Sequence, residues 1–242
     1  MITLYGGGPY FGLPEASPFA TKTEVQLQMA DLEYVKARAM PAESPKGQIP
    51  FIDDGGERIA DSTFIRAHIE RKYGLDLDEG LTVRQRAEAW SIERMLENHF
   101  SYAVFHGRFF IPGNFEKGPA HFFDGAPEAA REQLREAMKA GVAATYHAVG
   151  IGRHAPDEIE WLGGRSLEAL SDLLGDRPYL MGAKPCGTDA TAFAMLAGLL
   201  TPFFDAPLRR RAEGYRNLVA YTDRMMARFY PNFAWSETRA AA

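Results

Sequence analysis

Hydrophobic and polar residues follow one pattern up to about residue 76 and a different one beyond it. In the first part, short β-favouring runs alternate with turn residues, which predicts four strands, at residues 1–5, 32–35, 51–53 and 58–60. A helix is predicted over residues 18–29, with Ser17 as its N-cap, and another over residues 62–73, which ends at Gly74. This βαβ-ββα order predicts a parallel first pair of strands and a following antiparallel hairpin.

In the second part, apolar residues recur every three or four positions and no strand pattern is evident. Each such row predicts the buried face of a helix, and the rows are Ile92, Leu96, Phe100 and Ala103; Leu134, Met138, Val142, Tyr146 and Val149; and Leu167, Leu170 and Leu174. Further helices are predicted at residues 188–200 and 215–229, and loops at residues 112–127 and 150–156. We therefore predict an α/β domain over residues 1–76 and an all-helical domain over residues 82–242.

The composition is that of a soluble globular protein and argues against several functional classes. Of the 242 residues, 46% are hydrophobic and 24% charged, and the formal net charge of −5 favours neither nucleic acid nor an anionic membrane as a partner. The longest apolar run, at residues 192–200, is shorter than the roughly 20 residues that span a bilayer. The single cysteine, Cys186, permits no internal disulfide, and together with the absence of a basic, signal-like start this predicts a cytoplasmic location.

The run of residues 46–73 combines three features that are typical of one half of a small-molecule site. A strand enters at Ile49-Pro50, a tight turn returns it, and a helix starts at Asp61-Ser62. Because the first turn of a helix has free N–H groups, an anion could rest at this helix start.

A βαβ-ββα domain with a proline that opens its third strand, followed by an all-helical domain, resembles the glutathione transferase superfamily. The segments KGQIPFIDDGG, ADSTFIRAHIERKYG and GDRPYLMGAKPCGTDATAFAMLA are similar to the branch that includes metaxin and failed-axon-connection proteins and their bacterial relatives. The resemblance implies a thioredoxin-like first domain, glutathione as co-substrate or cofactor, no metal, and a homodimer in which the first domain of one subunit meets the helical domain of the other.

In proteins of this superfamily the bond before the strand-opening proline is cis, and the backbone of the preceding residue pairs with the cysteine of glutathione. The resemblance therefore assigns this role to Ile49, before Pro50, and assigns the γ-glutamyl end of glutathione to Asp61 and Ser62. Lys46 and Gln48 precede this proline, and Lys46 would reach the glycine carboxylate if its loop folds back. The plainer alternatives are a trans proline, a pair that only caps the helix, and an exposed loop lysine.

The same resemblance places a thiol-activating hydroxyl just after the first strand. Ser17 is the favoured candidate because Ser17-Pro18-Phe19-Ala20 aligns with the activating position, while Tyr5 and Tyr10 compete with it. Ser17 could also act only as a helix cap. Since Ala20 replaces a second cysteine, disulfide exchange by this loop is excluded.

An acceptor site is expected between the domains, lined by aromatic and polar side chains of the glycine-rich loop and the first long helix of the second domain. The candidates are Tyr10, Phe11, Tyr102, His106, Phe109 and Phe110. These rings could equally be buried core, and Arg94 and Arg108 contact either an anionic acceptor or a nearby acid. No HExxH pattern or third ligand accompanies His99 and His106, so no metal site is predicted.

The leading hypothesis is a transferase in which Ser17 stabilises the glutathione thiolate and the thiolate attacks a hydrophobic electrophile. The alternative is a non-catalytic binding or scaffold module of the metaxin type. Hydrolysis or isomerisation with glutathione as cofactor is a third option that the sequence does not separate from conjugation.

Overall fold

The computed structural model describes residues 1–235, and its strands form a single four-stranded mixed sheet in the order β2-β1-β3-β4. The central strand β1 (Ile2–Gly6) pairs in parallel with β2 (Tyr34–Arg38) and antiparallel with β3 (Phe51–Asp54). β3 continues through a tight turn into β4 (Glu57–Ala60), which confirms the predicted hairpin.

The second strand lies later in the chain than the sequence predicts. Leu32 packs against the hydrophobic cluster under the sheet before β2 begins, and the polar Lys36 and Arg38 belong to the strand instead. β2 is an edge strand whose pairing with β1 depends on backbone hydrogen bonds, so its hydrophobic pattern is a poor guide to its limits.

Two helices cover one face of the sheet, with the limits that the sequence predicts. α1 (Pro18–Met29) begins after the Ser17 cap, and α2 (Ser62–Tyr73) ends at Gly74, whose φ of 66° is the left-handed conformation that glycine adopts readily. The buried cluster between helices and sheet consists of Ile2, Leu4, Leu27, Ile52, Ile65 and Ile69.

The rest of the described chain is helical, which confirms the predicted fold class; residues 236–242 of the predicted helical domain lie outside the description. The helices are α3 (Val83–Met95), α4 (Ser101–Phe109), α5 (Pro112–Lys117), α6 (Glu128–Val149), α7 (Pro156–Leu174), α8 (Gly187–Leu200), α9 (Pro207–Glu213) and α10 (Arg216–Phe229). A π turn, Leu96–Phe100, joins α3 to α4. All residues of α8 are buried, so this helix is the centre of the helical part.

Two predictions for the helical part were wrong. The expected loop at residues 112–127 contains α5 and a 3-10 helix, Pro119–Phe123, because each starts with a proline whose fixed φ suits a first helical position. The apolar row on α6 is mostly not buried: Tyr146 is, whereas Leu134 and Val149 are 37% and 49% exposed. α6 lies at the outside of the helical part, so its apolar row has few partners.

A buried lysine joins the first domain to the helices. Lys22 of α1 is 1% exposed, and its Nζ atom lies 2.6 Å from Glu97 Oε1 and 3.8 Å from Glu93 Oε2. It also lies 3.5 Å from the hydroxyl of Thr63, in the first turn of α2. The ammonium group therefore ties α1, α2 and the α3 region together at one point.

Arginines extend this network from both sides. Arg66 of α2 pairs with Glu93 at 3.1 Å and with Asp78 at 2.6 Å, and Arg94 pairs with Glu97 at 2.8 Å. Asp78 in turn accepts a hydrogen bond from the backbone N–H of Gly187 at the start of α8. Each buried carboxylate thus has a cation and at least one further polar partner, as buried charges require.

We predict that Lys22→Met lowers the free energy of unfolding by about 3 to 5 kcal/mol, because it leaves the buried carboxylates of Glu97 and Glu93 short of a cation. Urea unfolding measures this change, and adding Glu97→Gln should recover part of the loss. Lys139→Met, at an exposed pair with Glu136, is the matched control and should leave the unfolding midpoint unchanged. Equal stability of Lys22→Met and the parent would contradict the role given to this lysine.

Candidate functional site

The strand entry and the start of α2 lie side by side. The Ile49-Pro50 bond is cis, as the resemblance implies. The carbonyl of Pro50 accepts a hydrogen bond from the N–H of Asp61 at 3.3 Å, and the next pair of residues, Phe51 and Ala60, is matched in the β3–β4 ladder. The fold therefore brings together the residues assigned to the middle and to the γ-glutamyl end of a bound glutathione.

Asp61 has an unusual backbone. Its φ is 80°, a left-handed value that a residue other than glycine adopts at a cost, and such positions cluster at functional sites. Its carboxylate accepts the N–H of Thr63 at 2.9 Å, so Asp61 does cap α2. Ser62 is buried, and its side chain makes no hydrogen bond within residues 1–235, so its hydroxyl and its first-turn N–H are available to a ligand. Capping and ligand binding are therefore compatible here.

The residues before the cis proline are exposed. The side chain of Lys46 folds back over the first turn of α2, with its ammonium 3.8 Å from the centre of the Phe64 ring, and Gln48 is also exposed. The role of Lys46 at a carboxylate therefore stays a prediction.

Ser17 lies at the start of α1, close to the strand entry. Its hydroxyl oxygen accepts the N–H of Ala20 at 3.4 Å, which leaves the hydroxyl hydrogen free to donate. Gly7 lies between Ala16 and Ile49: a Cβ added to Gly7 would be 3.5 Å from Ala16 Cβ and 3.7 Å from Ile49 Cδ1. The start of α1 and the residue before the cis proline therefore meet on either side of Gly7.

The two competing tyrosines are placed less suitably. Leu4 points to the helix-covered face of the sheet, so Tyr5 points to the other face, where its ring stacks on Phe51 at 4.4 Å. Tyr10 lies in a tight turn with its ring 4.3 Å from that of Phe11, and burial together with the charge of Asp124 raises the pKa of its hydroxyl. The Tyr10 ring also packs against Phe122 and Phe203, away from the strand entry, so Ser17 remains the favoured hydroxyl.

A buried carboxylate holds the loop between β1 and α1. Glu15 is 1% exposed, and it accepts backbone N–H groups from Gly7 and Gly8, each at 2.9 Å, and from Ser17 at 3.3 Å. Burial raises the pKa of this carboxyl, and the three backbone donors partly oppose that effect. The sequence carries no signal for this role, since a glutamate in a glycine-rich loop is ordinarily exposed.

A buried arginine approaches the same point from the helical domain. Arg108 of α4 is 5% exposed, and its Nη1 donates to the carbonyl of Ala16 at 3.0 Å. The guanidinium is surrounded by the rings of Phe11, Phe105 and Phe204, with centres 4.9, 5.2 and 4.9 Å away. Burial lowers the pKa of Arg108 to about 10, so it is still a cation at neutral pH. Of the two sequence alternatives for Arg108, pairing with an acid is therefore wrong for residues 1–235, whereas Arg94 does pair with Glu97.

Phe11 does not line an open acceptor site. Its ring is 2% exposed and packs against Phe203 and Phe204, while its carbonyl accepts the hydroxyl of Thr201 at 2.6 Å. This part of the prediction is wrong because the glycine-rich loop is anchored on the segment after α8. The ring belongs to the core of the helical domain.

The other predicted acceptor residues of α4 lie along the side of this helix that faces α6. His106 stacks on Phe110 at 5.0 Å, and Tyr102 contacts Tyr146 of α6 edge-on at 5.5 Å. Phe109 and Phe110 both line a groove of about 490 Å³ between α4, α5 and α6. Burial lowers the pKa of His106, so this histidine is neutral at pH 7.

The ring that faces the start of α1 is Phe105, which the sequence reading did not single out. It lies 6.4 Å from Phe19 in the first turn of α1 and 6.4 Å from Phe109. Phe105 therefore presents an apolar ring to the start of α1, near Ser17.

Within residues 1–235, no three side chains of the histidine, cysteine, aspartate and glutamate types lie close enough to hold a metal ion together. In the same part of the chain, no helix combines the length and apolarity that crossing a membrane requires.

Two family models match the chain. Residues 18–114 match the glutathione S-transferase N-terminal domain, and residues 163–225 match the glutathione S-transferase C-terminal domain. The matched segments contain the Ile49-Pro50 and Asp61-Ser62 pairs as well as most of α7 and all of α8 to α9.

Curated relatives cover most of the chain. Failed axon connections of Drosophila melanogaster is 34% identical over 244 residues, which are 93% of this chain but 56% of that protein. The isoprene-epoxide–glutathione S-transferase of a Rhodococcus species is 27% identical over 240 residues, 95% of this chain and 99% of that one. Human metaxin-2 is 26% identical over 208 residues, 84% and 79% of the respective chains. The chain thus spans little more than half of the Drosophila protein and nearly all of the Rhodococcus enzyme.

Solved structures with the same fold include the β-etherase LigF of a Sphingobium species, with a TM-score of 0.66 and 18% identity over 100% of this chain and 99% of that one. A glutathione S-transferase of Methylobacterium radiotolerans in complex with glutathione sulfonate has a TM-score of 0.60 and 17% identity, over 98% and 93% of the two chains. At these identities the similarity establishes the fold alone.

Proposed function

Because the chain belongs to the glutathione transferase superfamily, we propose that it binds glutathione and conjugates it to a hydrophobic electrophile. The observation that carries the proposal is the proximity of three elements: the start of α1 with Ser17 and the cis bond at Ile49-Pro50 meet at Gly7, and the start of α2 is hydrogen-bonded to Pro50. These elements offer a peptide ligand backbone groups, a helix N-terminus and a carboxylate within one small region.

Each end of glutathione has a matching group. The backbone of Ile49 pairs with the cysteine residue of the tripeptide, beside Pro50. The Ser62 hydroxyl and N–H bind the γ-glutamyl carboxylate, and the Asp61 carboxylate binds its ammonium. Lys46, already folded over α2, reaches the glycine carboxylate, with Gln48 in the same exposed loop.

Ser17 activates the thiol by donating its free hydroxyl hydrogen to the thiolate. Lowering a thiol pKa of about 8.5 by about two units requires roughly 2.7 kcal/mol of preferential stabilisation of the anion. A hydrogen bond to a charged group contributes about 1.5 to 3 kcal/mol and a helix N-terminus about 0.3 to 1. The two together are therefore sufficient.

The electrophile lies against Phe105, the ring of α4 that faces the start of α1. We propose an epoxide as the first class to test, because the Rhodococcus relative that matches over its full length is named for an isoprene epoxide. The thiolate opens the ring by attack on carbon, the C–O bond breaks, and the resulting alkoxide takes up a proton from water. Tyr102, His106 and Phe109, on the α6 side of α4, do not take part in this proposal.

A second candidate function is that of a binding or scaffold module with the same fold. It is favoured by two relatives whose names describe no enzyme, failed axon connections and metaxin-2. The capping bond of Ser17 also fits this alternative, because the hydroxyl oxygen already accepts the N–H of Ala20. Glutathione bound without turnover would identify this function.

We predict that Ser17→Gly lowers kcat/KM for conjugation by about 10- to 100-fold, because the thiolate loses a charge-assisted hydrogen bond. Glycine is a tolerable N-cap, so stability should fall by only a few tenths of a kcal/mol. Ser17→Thr, which keeps the hydroxyl, is the control and should retain most of the activity. The assay follows glutathione consumption with a panel of small epoxides and aryl halides.

An unchanged rate in Ser17→Gly would assign activation to another group. Binding of glutathione by the parent with no conjugation across the panel would reject the enzyme and support the scaffold.

We also propose a homodimer. Phe64 on α2 and Trp90 on α3 are 58% and 53% exposed, one on the first domain and one on the helical part, as a contact between unlike domains of two subunits requires. Light scattering should give twice the monomer mass for the parent and a lower mass, at equal concentration, for Phe64→Ser. The matched control is Trp161→Ser on α7, which should leave the mass unchanged. A monomeric parent at all concentrations would contradict the dimer.

A further inference from the structure

The peptide group between Ala16 and Ser17 is held by two buried charges of opposite sign. Its carbonyl accepts from the Arg108 guanidinium at 3.0 Å, and its N–H donates to the Glu15 carboxylate at 3.3 Å. We propose that Arg108 and Glu15 are positioning residues that set, in opposite directions, the acidity of a thiol placed at the start of α1. The inference rests on the proposed function for its biological meaning, but its test uses no glutathione.

Arg108 is not needed to neutralise an acid. No salt bridge joins it to any carboxylate of residues 1–235, and its Nε and Nη2 atoms are buried without a hydrogen-bond partner. A buried cation is costly when it is unpaired, and the aromatic rings around it compensate only in part. An anion that forms beside it would supply the missing partner.

The guanidinium is close to α1 as well as to α8. A Cβ added to Gly198 of α8 would lie 3.1 Å from Pro18 Cγ and 3.7 Å from Arg108 Nη2. The Nη2 atom therefore lies in the buried space between α8 and Pro18, the residue that follows Ser17. Glycine at position 198 permits this approach.

Glu15 acts in the opposite sense. Its carboxylate lies under the same helix start, and it is buried, so water screens it weakly. A negative charge at that place raises the pKa of a neighbouring thiol, while Arg108 lowers it. The balance of the two charges, in addition to the Ser17 hydroxyl, decides how much thiolate is present at neutral pH.

Other charges near this point are more distant or more exposed. Lys36 of β2 pairs with Glu24 at 2.8 Å, and Glu24 also accepts the hydroxyl of Tyr230 at 2.9 Å. Arg38 of β2 approaches Gly8 from the edge of the sheet, and Lys22 is engaged by Glu97. None of these side chains forms a hydrogen bond to the Ala16–Ser17 peptide group.

The experiment introduces a thiol at the site itself with Ser17→Cys. The native Cys186 is 4% exposed, and burial raises the pKa of its thiol, so alkylation by iodoacetamide reports the introduced thiol, and mass spectrometry identifies the modified peptide. The pH dependence of the alkylation rate gives the thiol pKa. In this background, Arg108→Gln should raise that pKa by about one unit and Glu15→Gln should lower it by about one unit.

The controls match the charge changes at exposed positions. Arg84→Gln and Glu132→Gln, whose side chains are 89% and 75% exposed, should leave the pKa of the introduced thiol unchanged. Arg108→Lys keeps the charge and should restore most of the parent value. If Arg108→Gln does not fold, the lowered pKa in Glu15→Gln still tests the inference, because loss of structure alone would not make the thiol more acidic.

Shifts of the same sign in both variants, or no shift in Glu15→Gln, would overturn the inference. These outcomes are independent of the proposed function, because a chain that binds no glutathione can still show the opposite shifts. A chain that conjugates glutathione can likewise fail to show them.

Discussion

The structure depends on one buried ion pair, between Lys22 of α1 and Glu97 at the junction of α3 and α4. Through Thr63 the same lysine also touches the first turn of α2. The two helix starts that form the proposed glutathione site are therefore both fixed against the helical domain by one cation. Burial makes this arrangement costly to change, since removal of either charge leaves the other without a partner in a medium of low polarity.

Buried charge has a second use at the start of α1. Lys22 is surrounded by carboxylates and is structural, whereas Arg108 has aromatic neighbours and one backbone carbonyl. A satisfied ion pair stabilises a fold without responding to a ligand, while an unsatisfied cation gains most when an anion forms next to it. Glu15, held by backbone N–H groups of the glycine-rich loop, limits that gain. Of the buried charges at the domain junction, Lys22 thus stabilises the fold, whereas Arg108 and Glu15 serve the proposed chemistry.

Local signals predicted local structure well. Ser17-Pro18 and Gly74 marked the limits of α1 and α2 because caps are specified by the residues that form them. The βαβ-ββα order and the cis bond at Pro50 were accessible through motif and resemblance. The edge strand β2 lies later in the chain than predicted, since its pairing with β1 depends on backbone hydrogen bonds and leaves little trace in the side-chain pattern. The burial of Phe11 could not be predicted, because it depends on contacts with Phe203 and Phe204, which are distant in sequence. Glu15 and Lys22 were missed because burial of a charge depends on partners distant in sequence.

The central claim is that glutathione binds between the start of α1, the cis bond before Pro50 and the start of α2. Titration calorimetry with the intact chain tests this claim most directly. The parent should bind one glutathione per chain, and Asp61→Asn should weaken binding by about tenfold or more, because the ligand ammonium loses a charged partner. Asp176→Asn, at an exposed position after α7, should bind like the parent. Absence of binding by the parent at millimolar glutathione, or equal affinity of Asp61→Asn, would contradict the assignment of this site.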